Sequence, residues 1–516
     1  MDSRGSKVIN GFALRTVYII LNIALAFFMM PFILHSLGDK MYGLWVLFSL
    51  FLIYISYLDV GLSSAVGRFI SRAVGQEDSN GMNEIVNTAF IIYLFIGIFT
   101  LLLTICLVAL AGLFVKYAEE LLIVRSLVFI LGLNMAIGFP ARAFGAVIGA
   151  NLHYEISEVI ALAELLLRNL LIFILFSMGY RIIALGIIVL ITSLVSYVAY
   201  IFFAFKVRRD LRFSYEFFKK SRVKELFSYS VYTFIYKLAE TLISRIDAFV
   251  VTVFIGLSAV AHYSIALTFI SYFSNFIFNV MALIGPVFSQ DEGNGNYEGI
   301  RHKLLFITKL SIYITMFIGL MLVFYGKAFI IRWLGVEYVD AYPVLVVLAI
   351  STVIAMMQAP SGSLLFSISR HRFLAYIGII EGISNLGLSI LFVKKYGLVG
   401  VALGTAVPMV LIRLFIQPLY VCKVLQISRY KYYVETLAYC IAVSAAGVIP
   451  LYLIARYFIY PSYGRLMLLS GWQFLIYGIV ISIIGFNADE KTYLFNIVKS
   501  KLMLFRLAIM PARERV

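Results

Sequence analysis

The sequence predicts an all-α polytopic membrane protein. It has about fourteen transmembrane helices, set out as two pseudo-symmetric six-helix lobes with an additional C-terminal helix pair. Three observations predict this. The chain is 63% hydrophobic and 13% charged, with a mean hydropathy of +0.99. A soluble 58.2 kDa chain has no interior large enough for that much apolar surface. Long apolar runs recur from end to end. Each is enough to cross a hydrocarbon core of about 30 Å at about 20 residues per helix. A polar nonapeptide also occurs twice, QEDSNGMNE from Gln76 and QDEGNGNYE from Gln290, 214 residues apart. Six spans used twice is the pattern of a transporter built from two like halves.

The runs are continuous rather than alternating, so they read as helices and not barrel strands. The predicted spans are 11–34, 42–66, 86–114, 121–144, 156–178, 182–205, 227–254, 260–288, 303–326, 341–362, 373–392, 398–421, 436–456 and 465–486. Further pairs support the repeat. Pro140, Asn169 and Tyr180 are answered by Pro360, Asn385 and Tyr396, and Leu185-Gly186 by Leu403-Gly404. The chain therefore divides into residues 1–222, 223–426 and 427–516. The joint, Lys206 to Glu225, interleaves aromatic and basic residues. It reads either as an amphipathic helix on a membrane surface or as a solvated basic linker.

Basic residues set the orientation. With the N-terminus inside, 26 of the 42 Lys and Arg fall in cytoplasmic segments, 10 in outer loops and 6 within helices. Both termini are then cytoplasmic. The formal charge of +16 reflects this bias and attraction to anionic lipid headgroups. It does not point to nucleic acid, because the charge is spread over many short loops with no recognition module. The first span is too long for a signal h-region and reads as a permanent helix. Cys106, Cys422 and Cys440 lie in or beside apolar runs and read as packing residues, not a disulfide framework.

No GxxxxGK[ST], HExxH or CxxC occurs, and the five histidines are dispersed. No built-in ATPase, metal site or cofactor is read. The short outer loops disfavour a membrane enzyme. The chemistry left is intramembrane charge, which costs about 2.5–3.5 kcal/mol per residue on insertion scales and so faces a cavity or a partner. On the seventh span Lys237, Glu240, Ser244 and Asp247, widened by Thr241 and Arg245, fall within roughly 160° of arc. They should line a polar cavity, unless Lys237 and Glu240 only pair with each other. The fifth span carries Glu164, Arg168 and Asn169; its Glu–Arg spacing also permits a local pair. Its repeat mate carries Glu381 and Asn385, with no basic residue at i±3 or i±4. Glu381 therefore takes a partner from another helix or holds a proton. Arg15, Tyr18 and Asn22 share a face of the first span, and Asp59 ends the second. Asp59 is placed near Arg15, either in the cavity or as a packing tie.

Phe32 to Phe48 reads FILHSLGDKMYGLWVLF and Tyr57 to Ser71 reads YLDVGLSSAVGRFIS. This Leu-Gly-x-x-x-Tyr-Gly-Leu-Trp turn followed by Leu-Asp-x-Gly-Leu resembles the polysaccharide flippases of the Wzx type. They belong to the multidrug/oligosaccharidyl-lipid/polysaccharide exporter superfamily, and the resemblance covers nearly the whole chain. It implies flipping of an undecaprenyl-diphosphate-linked oligosaccharide across a bacterial cytoplasmic membrane by alternating access. It also implies a cationic lumen, and a polysaccharide polymerase and chain-length regulator as partners. On that basis Arg15, Arg168, Lys237 and Arg245, with Asn22 and Ser244, are the candidate substrate contacts. Asp59, Glu240, Asp247 and Glu381 are the candidate ion-coupling groups. The competing readings are a drug/cation antiporter, whose cavity should be acidic, a peptidoglycan-precursor flippase, and a membrane enzyme acting on lipid-linked sugars.

Overall fold

A computed structural model describes residues 3–59, 61–113, 118–228, 246–282, 284–368, 370–455 and 462–492. They are almost wholly helical, with no strand among the described residues. Among the described residues ten helices are long and apolar enough to cross a membrane, eleven if a bent pair at Met357 is one span. The chain divides into two compact units, Met1–Ala261 and His262–Val516.

The first unit runs α1 (Ser3–Leu37), α2 (Asp39–Ser56), α3 (Leu62–Gly75), α4 (Ser79–Leu110), α5 (Ala118–Ala150), α6 (Tyr154–Ser177) and α7 (Ile182–Val207), then α8 (Asp247–Phe254). The second predicted span is not one helix. It breaks at a 3₁₀ turn, Tyr57–Asp59, and at Gly61, which adopts φ 75°. A side chain would be strained there. Apolar composition continues through the break, which is why hydropathy alone hides it. α4 and α5 approach closely: a Cβ on Gly97 would lie 2.5 Å from the Ala136 carbonyl oxygen.

The second unit contains α9 (Leu257–Ala282, entering from the end of the first unit), α10 (Gly285–Gly293), α11 (Tyr297–Trp333), α12 (Ala341–Met357), α13 (Ala359–Ser367), α14 (His371–Leu411, kinked at Gly397), α15 (Gln417–Leu425), α16 (Tyr439–Ala455) and α17 (Tyr463–Val480). The tenth predicted span, 341–362, is bent by 41° at Gln358. π-helical turns occupy Ile412–Ile416, Lys431–Ala438 and Ile481–Gly485. The C-terminal helices are tied to α11. The Tyr313 hydroxyl donates to the Gly485 carbonyl at 2.7 Å, the Tyr477 hydroxyl to the Tyr313 carbonyl at 2.7 Å, and Lys309 pairs with Glu490 at 2.8 Å.

The repeat is visible in local geometry. The Asp78 carboxylate accepts from the Gly81 N–H at 2.8 Å and opens α4; the Asn296 side chain accepts from the Gly299 N–H at 2.9 Å and opens α11. Glu77 and Gly295, one residue earlier, both have positive φ, 56° and 67°. The Asp78 N–H closes on Ala73 O and the Asn296 N–H on Asp291 O, both at 2.9 Å. These pairs are 218 residues apart, the spacing of Leu185-Gly186 and Leu403-Gly404. The letter match at 214 is thus four residues out of register: what recurs is a helix end and an N-cap, each needing an Asp or Asn oxygen.

The joint between halves combines an extended stretch with a helix. After α7 the chain runs mostly extended through residue 219, with a 3₁₀ turn at Tyr215–Phe217, and residues 220–228 are helical. It is held along the first turns of α4 by side chains that mimic a neighbouring strand. Asn83 donates to Asp210 O at 3.1 Å and accepts from Arg212 N at 2.8 Å; Asn87 donates to Arg212 O at 2.8 Å and accepts from Ser214 N at 3.0 Å. Thr88 accepts from Lys219 N at 3.1 Å, and Arg222 reaches Glu84 at 3.2 Å. Backbone groups satisfied in this way have no need to form a helix.

Candidate functional site

Two polar centres lie inside the helical bundles, one in each unit. In the first, Asp59 is buried at the α2–α3 break. Its carboxylate accepts from the Ser63 N–H at 3.3 Å and the Ser63 hydroxyl at 3.0 Å; that hydroxyl also meets the Tyr93 hydroxyl at 3.0 Å. Its cation is Arg142 on α5, at 3.6 Å. The expected Asp59–Arg15 proximity is therefore corrected. Arg15 is exposed on α1 and pairs with Glu158 of α6 at 3.4 Å, whereas the helix break turns Asp59 toward α5. Arg142 stands on α5 with its guanidinium 4.6 Å from the centre of the Phe139 ring.

Arg142 opens on a cavity of about 520 Å³ whose lining includes Ser63, Gly138, Ser157, Tyr197 and Tyr200. Gly138 lets the Tyr197 side chain approach, since a Cβ there would lie 2.5 Å from the Tyr197 hydroxyl. That hydroxyl donates to the Asn134 side chain at 3.3 Å. A separate cavity of about 350 Å³, lined by Leu58, Ile92, Phe95, Phe99 and Phe227, is wholly apolar.

Beside the polar cavity, Glu164 and Arg168 form the local pair that their spacing permitted. The pair is tied to α7: Ser196 donates to Glu164 at 2.7 Å and Arg168 to Thr192 at 3.3 Å. Asn169 turns back to the Leu165 carbonyl at 2.7 Å. Asn22 is half-buried on α1 and Asp247 is buried in the first turn of α8. Lys237, Glu240, Thr241, Ser244 and Arg245 lie outside the described residues, so the seventh-span stripe is represented by Asp247 alone.

In the second unit Glu381 is buried and finds its partner on another helical segment. The Arg413 guanidinium, in the π-turn after α14, donates to it at 3.0 Å. Arg413 also donates to Gln417 at 2.7 Å. Gln417 donates in turn to Ser361 at 2.6 Å and to the Gln358 carbonyl at 3.2 Å. Tyr432 closes the chain on the Gln358 side chain at 2.7 Å. This network crosses the α12–α13 bend. Asn385, one turn beyond Glu381, accepts from Ser389 at 2.9 Å and Thr405 at 3.3 Å. Among the described residues no cluster of three His, Cys, Asp or Glu is placed to hold a metal.

Sequence reasoning missed Arg142, Arg413 and the Gln358–Ser361–Gln417 group. Their partners on other elements are 32 to 83 positions away, beyond any helical periodicity.

Comparison with known proteins fits this architecture. The Bacillus subtilis (strain 168) uncharacterized membrane protein EpsK is 24% identical over 429 residues, covering 80% of this chain and 82% of that protein. Among solved structures, the lipid II flippase MurJ in an inward closed conformation superposes with TM-score 0.68 at 15% identity, over 91% of this chain and 98% of that one. An inward-facing multidrug resistance MATE family transporter of the MOP superfamily gives 0.67 at 16%, over 82% and 99%. The likeness to both is one of fold. The sequence model of the polysaccharide biosynthesis protein family matches residues 42–343, more than half the chain, and this multi-pass membrane protein belongs to that family.

Proposed function

We propose that this protein flips an undecaprenyl-diphosphate-linked oligosaccharide repeat unit across a bacterial cytoplasmic membrane, for assembly of a cell-surface polysaccharide. The observation that carries the reading is the polysaccharide biosynthesis family match across residues 42–343 on a transporter fold. The physical chemistry of such a cargo agrees. It is anionic at the diphosphate, polar at the glycan and apolar at the tail. It needs cations and hydroxyls within the bundle and no covalent step, so the protein is a carrier and not an enzyme. Residues 1–222 and 223–426 are the two lobes and 427–516 the added pair, with both termini cytoplasmic. Arg15, Arg168, Lys237 and Arg245, with Asn22 and Ser244, are the proposed cargo contacts. Asp59, Glu240, Asp247 and Glu381 are the proposed coupling acids. A polymerase and a chain-length regulator would act next on the flipped unit.

The superposition on the lipid II flippase over 91% of the chain favours one second reading, a peptidoglycan precursor as cargo. The deciding experiment is depletion of the protein in its own cell. Accumulation of a lipid-linked repeat unit at the inner leaflet, with loss of surface polysaccharide and normal peptidoglycan synthesis, is expected. Build-up of lipid II with cell lysis would give the cargo to the second reading.

A further inference from the structure

The cavity at Arg142 has a composition that its neighbours do not explain. Among the described residues its guanidinium is engaged only by Asp59, at 3.6 Å, and by the Phe139 ring; it donates no hydrogen bond. A guanidinium carries five N–H donors, and with the Arg142 side chain 31% exposed these remain open to a ligand in the cavity. Asp59 meets the guanidinium as an ion pair at 3.6 Å and not through a hydrogen bond. Its side chain is 7% exposed against 31% for Arg142, and its oxygens already receive the Ser63 N–H and hydroxyl. Asp59 therefore stands behind Arg142 and fixes its direction, leaving the outer donors toward the cavity. That space is lined by the Ser157, Tyr197 and Tyr200 side chains. Gly138 adds no side chain to it.

Resting on the function proposed above, we propose that this cavity is a diphosphate subsite: it takes the phosphate groups and first sugar of a polyprenyl-linked cargo within the first unit. A planar guanidinium binds phosphate oxygens through two parallel hydrogen bonds. Tyrosine and serine hydroxyls suit sugar hydroxyls, and about 520 Å³ falls in the range of small-ligand pockets. The location fits loading. Arg142 lies about two turns before the end of α5 and Ser157 in the first turn of α6, at the bundle end that the basic-residue bias assigns to the cytoplasm. Asp59 is a positioning residue here, acting through Arg142.

The test is thiol protection with the full-length protein in nanodiscs of zwitterionic lipid. Ser157→Cys is labelled by a small maleimide with and without undecaprenyl diphosphate, and with inorganic pyrophosphate at the same concentration. Undecaprenyl diphosphate should slow labelling. Arg142→Ala should raise the concentration needed by about tenfold or more, the scale of a lost hydrogen bond to a charged group, with Arg142→Lys intermediate and Arg332→Ala unchanged. Asp59→Asn with Arg142→Ala leaves no buried carboxylate unpaired and should show the same loss, which separates binding from misfolding. Equal protection by pyrophosphate would assign the cavity to a soluble anion and overturn the lipid assignment. Binding of undecaprenyl diphosphate to the Ser157→Cys protein with the introduced thiol left unprotected, or protection indifferent to Arg142, would overturn the subsite alone. No binding to the wild-type protein at all would instead sink the proposed function.

Discussion

Arg413→Ala should be the most damaging single polar substitution among the described residues of the second unit. The Glu381 side chain is 2% exposed and Arg413 25%, so the carboxylate depends on this partner almost entirely. The same substitution also removes the donor to Gln417 and loosens the Gln358–Ser361 group at the α12–α13 bend. Removing one member of a buried pair costs about 3–5 kcal/mol, because the other charge is left in a medium that cannot solvate it. For a unit of this size about 1 kcal/mol moves the midpoint by roughly 2–4 °C, so the apparent melting temperature in detergent should fall by roughly 6–20 °C. Glu381→Gln with Arg413→Met removes both charges and should recover most of the loss. Arg413→Lys should fall between, since one ammonium cannot reproduce the fork that serves Glu381 and Gln417 together. Intrinsic fluorescence during heating, with gel filtration to check dispersion, reads all four proteins. An Arg413→Ala protein melting with the wild type, or a double variant worse than the single, would refute the buried-pair argument.

Gly97→Ala should destabilise the first unit by about 1–3 kcal/mol, the usual cost of overpacking, because the added Cβ meets the Ala136 carbonyl oxygen, not a movable side chain; the same melting assay checks it. Asn87→Leu removes two of the bonds that hold the joint to α4 and should raise the rate of trypsin cleavage at Lys219 and Lys220. Asp210 should add a pH dependence to that joint. Partial burial pushes its carboxyl up, but the Ser79 hydroxyl, its own backbone N–H and Arg208 outweigh this and hold it below the ordinary aspartate range. A lowered pKa contributes stability that is full above the unfolded value and lost as pH falls through the folded one. Amide exchange at 211–214, corrected for intrinsic rates, should therefore rise only on strong acidification. Exchange already faster at neutral pH than at pH 5 would contradict the sign. On topology, single cysteines at 79 and 294 should resist an impermeant maleimide in intact cells and react after permeabilisation; ready labelling from outside would invert the orientation.

What could be read from sequence was whatever repeats along the chain or averages over a helix. Apolar runs gave the spans, and the paired loops gave the duplication, because a helix end and its N-cap need particular residues at fixed places, here Asp78 and Asn296. The breaks were not legible. The breaks at Tyr57–Asp59 with Gly61 and at Gln358 are each only a few residues long inside apolar stretches, and the backbone geometry, a 3₁₀ turn with Gly61 at positive φ and a 41° bend, records them. Partnerships across the bundle were also hidden. Glu381 carried a usable signal, an intramembrane acid with no local cation, but nothing in spacing pointed to Arg413. Asp59 carried the same signal and was matched to the wrong arginine, because proximity was judged from span ends and the break had not been seen. The joint carried a signal that went unused. Asn83 and Asn87, one turn apart at the start of an otherwise apolar helix, are what a segment needs if it is to hold an extended neighbour by its backbone.

The two intramembrane acids show how the repeat has diverged, and that difference can be tested. Glu164 and Glu381 sit on the paired helices that carry Asn169 and Asn385, and each reaches the helix that follows. Glu164 accepts from Ser196, and Glu381 from Arg413. The offset that carries Gly186 to Gly404 brings Ser196 to within one residue of Arg413. The receiving position is therefore nearly the same and only the source of the cation differs. In the first unit it comes from the acid's own helix, Arg168 at i+4; in the second it comes from across the helix pair. If the frame is shared, the second arrangement should be transplantable. Arg168→Ser alone should lower the melting temperature, since it leaves Glu164 with hydroxyl donors only and costs about 1–3 kcal/mol. Adding Ser196→Arg returns a guanidinium from α7 and should regain at least half of that. A double variant no more stable than Arg168→Ser would mean that the two positions share a register but not a geometry.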